Sequence, residues 1–165
     1  MNAIDVIRMS LDQSTAWVME LIVDMKDAPM TTPTPDGGNH PLWILGHVTY
    51  SEAELRDEFI FGKPNPLAEW KDIFGQGSQP SANASQYPPF EEILAKFAEV
   101  RSDTQKMLET MSDDDLDQPS KVPEEAKEFF GTVGQCLSAM PLHLVFHGGE
   151  VADARRAAGR PPLMG

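Results

Sequence analysis

The stretch Met140-Pro141-Leu142-His143-Leu144-Val145-Phe146-His147-Gly148-Gly149-Glu150 decides how this chain is read. It is apolar with helical character, and it sets His143 and His147 on one helix face, about one turn apart. A third histidine, His47, ends a second apolar segment, Pro41-Leu42-Trp43-Ile44-Leu45-Gly46-His47. The chain has 4 histidines, so all but one fall in apolar helical segments. An imidazole in such a place needs a partner, and a divalent metal is one.

Outward from that stretch, the sequence divides into four helical segments separated by breaks rich in proline and glycine. The last holds the histidine pair. Thr132, with Gln135 three residues on, forms a capping box, and Gly159 and Pro161-Pro162 close the segment after about Ala158. Pro141 lies inside it and predicts a kink. The second segment takes Asn39 or His40 as its cap, has Pro41 in the favoured first turn and stops at Gly62. Residues 3–26 form the first, capped by Asn2, with Ile4, Ile7, Leu11, Val18, Leu21 and Met25 recurring at helical spacing. The third starts near Phe90, carries Ile93, Phe97, Val100 and Leu108, and ends at Asp113-Asp114-Asp115.

The connections are long. Pro29, Pro33, Pro35 and Gly37-Gly38 interrupt the first, residues 63–89 form the second, and residues 116–130 the last. Trp70, Ile73 and Phe74 break the polarity of the second connection, so part of it is expected to fold back as a wall over a site. No strand pattern and no repeat is present. The expected fold is all-α, a four-helix bundle in a single domain over residues 1–165.

Composition narrows the function. A net charge of −13 argues against nucleic acid, which requires clustered Lys and Arg, and against anionic membrane surfaces. No apolar run is long enough to span a bilayer, and residues 1–8 lack the pattern of a signal peptide. One cysteine, Cys136, cannot form an internal disulfide and sits among small and apolar neighbours, which fits a packed thiol in a cytoplasmic protein.

Two histidines at i and i+4 supply two ligands, and His47 from a facing helix would complete a face with room left for water or substrate, the arrangement of catalytic metal sites. Glu150 extends the stripe at i+3 from His147. It is a candidate fourth ligand, general base, or acceptor holding a histidine ring N–H. Leu144 stands where a zincin has Glu, and the paired Glu-x-x-His motifs of di-iron bundles are absent, so one metal is expected. His40 reads as a capping residue. Gly148-Gly149 reads as a place for close packing.

These residues resemble the DinB/YfiT superfamily of metalloenzyme-like helical proteins. One stretch is Asn39-His40-Pro41-Leu42-Trp43-Ile44-Leu45-Gly46-His47. The other is His143 to Glu150, similar to the family's H-x-x-x-H-x-G-Q helix, followed by Arg155-Arg156-Ala157-Ala158-Gly159-Arg160-Pro161-Pro162. The resemblance implies an up-down-down-up bundle, often a homodimer, with one divalent metal on His47, His143 and His147. Nickel or zinc is typical there, with iron and manganese as alternatives. It also implies thiol-dependent transferase or isomerase chemistry with bacillithiol or mycothiol as co-substrate. Gly148 stands where many members have Arg, and Glu150 where Gln is usual, so an anionic thiol fits this chain less well.

The expected function is thus a mononuclear metal-dependent enzyme, with thiol S-transfer first and metal-assisted hydrolysis next, and with a small molecule, such as a low-molecular-weight thiol, as its partner. The alternative is a non-catalytic, stress-related binding module whose metal is structural or absent.

Overall fold

A computed structural model describes residues 1–33 and 37–163, so the expected break at Pro35 lies outside the described residues. Six α-helices appear there: α1 (Ala3–Asp24), α2 (Pro41–Ala53), α3 (Lys71–Phe74), α4 (Phe90–Glu109), α5 (Lys127–Phe130) and α6 (Val133–Ala157). No β-strand occurs among the described residues, and a single isolated bridge pairs Pro119 with Thr132. No helix among them is long and apolar enough to cross a membrane.

The long helices start where their capping residues lie. The Asn2 side chain accepts from the Asp5 N–H, and Asp5 reciprocates, which satisfies two of the orphan donors at the start of α1. Thr132 and Gln135 form the expected capping box on α6. His40, rather than Asn39, caps α2: its Nδ1 accepts from the Trp43 N–H at 3.0 Å. Its Nε2–H donates to the Ser81 carbonyl at 2.9 Å, so the ring also holds the second connection. Helix α6 runs through Pro141 as one element and ends before Gly159, whose φ of +73° only glycine adopts cheaply.

Past Ala53 the second helix loosens into a π-helix over Glu54–Ile60, where the Phe61 N–H reaches back five residues to the Arg56 carbonyl. This widening was not foreseen, because π-helical turns leave no periodic mark that distinguishes them from α-helix. The long connections are not structureless either. Residues 63–89 hold α3 and two 3-10 turns, with Leu67, Trp70, Phe74 and Tyr87 buried against the helices. Residues 116–130 hold α5, and the acidic cluster expected to end the third helix is itself a 3-10 turn over Asp113–Asp117.

Packing sets α1 against α6 and α4, and α2 against α4 and α6. One apolar cluster includes Ile22, Ile44, Leu45, Phe74, Ile93, Leu144 and Val151, and a second gathers Leu11, Leu55, Leu108, Leu137 and Met140. Gly148 permits the close approach of α6 to α1, since a Cβ there would lie 2.7 Å from Val18 Cγ2. Open space surrounds Gly149. A buried ion pair, Arg101 to Glu52 at 2.6 Å, links α4 to α2, and the same guanidinium donates to the Leu11 carbonyl of α1. The desolvation of both charges offsets much of the attraction in such a pair.

Candidate metal centre

Helices α2 and α6 bring His47, His143 and His147 to one place. The Nε2 atoms of His47 and His143 lie 3.2 Å apart, and those of His147 and His143 3.1 Å. One ligand atom from each of the three rings falls within 4.8 Å of the other two. His47 and His147 are 7% and 6% exposed, and His143 is half-buried. The three rings meet nearly edge to face, at 77–83°.

The outer nitrogens fix the tautomers. A carbonyl only accepts, so the contact of 2.7 Å from His47 Nδ1 to the Phe74 oxygen puts the ring proton on Nδ1. The Glu150 carboxylate, 2.5 Å from His147 Nδ1, does the same for that ring. Both Nε2 atoms therefore direct lone pairs at His143 Nε2, which has at most one proton to donate. Three imidazole nitrogens in that arrangement suit a cation. Two ligands on a tetrahedral ion of zinc size stand about 3.3 Å apart, close to the separations found. Burial, then the neighbouring His147 and His47, push His143 down to about 3, and burial lowers His47 as well, so both present unprotonated nitrogens at neutral pH.

Glu150 sits on the Nδ1 edge of His147, away from the converging nitrogens, and it accepts from Asn39 Nδ2 at 3.0 Å. The geometry suits orientation of a ligand ring. Asn39, one of the two capping candidates, thus serves the site instead of the helix. Trp43 stacks on His47 with centroids 4.5 Å apart and planes at 11°. Its indole N–H donates to the Ile73 carbonyl and to Ser78 Oγ, tying the second connection to α2. Gly46 makes room for that connection: a Cβ on it would lie 2.1 Å from the Phe74 ring.

Of these supports, Glu150 was legible, three residues after His147. The Phe74 carbonyl was not, since a backbone acceptor 27 residues away carries no mark of its own in sequence.

A cavity of about 360 Å³ opens on His47 and His143, with Ser51, Glu54 and Gln76 also in its polar lining. Larger space, about 640 Å³, lies elsewhere, beside Phe129 and Leu142, away from the histidines. Cys136 is buried against the Phe130 carbonyl, and burial raises its thiol to about 11, which suits packing and not nucleophilic attack.

An all-helical scaffold holding three inward imidazoles defines a class: helical proteins with three histidines positioned to hold a metal ion. The family model of the DinB superfamily matches residues 10–151, which include all three of those histidines. The chain belongs to the DinB superfamily. No curated protein matches it.

Proposed function

We propose that the protein is a mononuclear metal-dependent enzyme of the DinB superfamily, built on a single four-helix bundle domain in up-down-down-up order. The observation that carries this reading is the convergence of three Nε2 atoms beside an open cavity. Structural metal sites are closed by their protein ligands, whereas catalytic ones keep a position for substrate. The cavity therefore favours an enzyme over a binding module with a metal staple.

His47, His143 and His147 would hold the ion, nickel or zinc by preference. A divalent ion in such a site supplies Lewis acidity, which draws the pKa of a coordinated thiol or water toward neutrality. The chain's own residues set the conditions. Phe74 and Glu150 keep the Nδ1 protons in place, so each Nε2 stays available and each ring is held in orientation. We assign Glu150 to this positioning work rather than to general base catalysis. The Trp43 indole covers one face of His47 and keeps water from it.

Thiol S-transfer is the reaction we favour, with hydrolysis second. An unpaired Cys136 fits a reducing cytoplasm. A homodimer is favoured by the exposed apolar side chains along α1 and α6, among them Trp17, Leu142 and Phe146. Metal content of protein purified without chelator tests the reading. Stoichiometric nickel or zinc is expected in the wild type, with loss in His143→Ala. Trace metal that is equal in both proteins overturns it.

A further inference from the structure

The cavity beside the histidines has a second polar feature that the metal reading leaves unused. His47, Ser51 and Glu54 occupy positions i, i+4 and i+7 of one helix face, and all three line the cavity. Seven residues of helix rise about 10 Å, so Glu54 stands about two turns from the histidine nitrogens, where α2 gives way to the π-helix. Leu55, Phe59 and Phe130 supply apolar wall. Among the described residues, the lining holds no lysine or arginine. The chain as a whole carries −13, so its field also disfavours anions.

We infer that the cavity selects a small, elongated molecule that is uncharged or cationic, with one end at the histidine centre, an apolar middle, and an amine or other N–H donor held by the Glu54 carboxylate. This deepens the proposed function and rests on it for the metal end only. It makes Glu54 a specificity-determining residue that touches substrate, and it sets anionic thiols aside as the natural co-substrate.

The surroundings of Glu54 agree with that role. Tyr50 Oη is 3.4 Å from Glu54 Oε1, too long for a strong hydrogen bond, so the carboxylate keeps acceptor capacity for a ligand. Burial and the nearby Glu58 hold the Glu54 carboxyl above its ordinary range, opposed by the Tyr50 hydroxyl and by Lys71, which lies outside the cavity lining. A carboxylate so placed is stabilised by a cationic partner. π-helical turns recur at functional sites, where they re-aim side chains, and this one begins at Glu54.

Three thiols of equal length separate the possibilities: aminohexanethiol, mercaptohexanol and mercaptohexanoic acid. Each is titrated into the cobalt-loaded full-length protein, with binding read from the sulfur-to-cobalt absorption. Aminohexanethiol is expected to bind on the order of tenfold more tightly than mercaptohexanol, and the acid most weakly. Glu54→Gln should remove the amine preference while cobalt affinity stays unchanged. Equal affinities for the three thiols, or an amine preference that survives in E54Q, overturn the inference. Should the protein take up no cobalt, the metal reading fails by itself. The cavity is then tested by calorimetry with hexylamine against hexanoate, where preference for the amine, lost in E54Q, is expected and indifference overturns the inference.

Discussion

The Phe74 carbonyl accepts the Nδ1 proton of His47 at 2.7 Å, although the two residues belong to different segments 27 positions apart. The Phe74 ring is pinned over Gly46, the residue before His47, so one residue both packs on the helix and orients its histidine.

Gly46→Ala should therefore damage the metal centre without touching a ligand. The added methyl would meet the ring of Phe74, which is fully buried. Overpacking of this kind costs about 1–3 kcal/mol, and displacement of the carbonyl should weaken metal binding about 10- to 100-fold. Chemical denaturation and competitive zinc titration measure the two effects. Wild-type zinc affinity in the variant would refute the coupling.

Glu150 and Asn39 form a chain to His147, and the role assigned to the carboxylate can be separated from base catalysis. Glu150→Gln keeps an oxygen that accepts the Nδ1 proton, so zinc affinity should fall only a few-fold. Glu150→Ala removes the acceptor and should cost about 10- to 100-fold. If both variants bind zinc as the wild type does, Glu150 does not position the ring.

Acid should destabilise the metal-free protein through His40. Burial lowers the pKa of this ring below its ordinary 6.5, so between the folded and unfolded values the unfolded chain binds more protons. Stability is therefore full above about pH 6.5 and falls as pH drops from there toward the lower folded value. Protonation would place a hydrogen on Nδ1, which faces the Trp43 N–H, and so remove the helix cap. His47 and His143 shift in the same direction and add to the effect. Urea unfolding at about pH 7.5 and 5.5 should show a smaller loss in His40→Asn, whose amide oxygen caps without titrating. An equal loss in both proteins would remove His40 from the account.

The exposed apolar side chains give the oligomer prediction. Leu142 is 71% exposed on α6 and Trp17 51% exposed on α1 across a shared groove, and Phe146, one turn after Leu142, is 72% exposed. A surface of this kind on one face marks an interaction site. Sedimentation equilibrium should give twice the chain mass of 18.2 kDa, and Leu142→Glu with Phe146→Glu should return the monomer. A monomeric wild type would leave that face to another partner.

The helical nature of the chain, the three histidines and Glu150 were open to reading before any coordinates. Apolar periodicity places a residue on a face because helix geometry is fixed by the backbone alone, which is why α1, α4 and α6 lie close to where spacing put them. For the same reason His143 and His147 were certain to be neighbours. Their meeting with His47 was a different kind of fact. It depends on the packing of α2 against α6, which no local pattern encodes. His47 entered the sequence reading as a candidate third ligand on its own segment and on the family resemblance; the match over residues 10–151 shows the family, and the coordinates bring the three rings together.

Sequence by itself determined the four long helices, the caps of α1 and α6 and the i, i+4 histidine pair, since these follow from interactions among near neighbours in the chain. Tertiary structure decided that His47 joins the pair, that Phe74 and Asn39 serve the site, and that Glu54 faces a cavity beside it. Those relations arise from packing between segments distant in sequence, where the partner of a polar atom depends on which surfaces exclude water together.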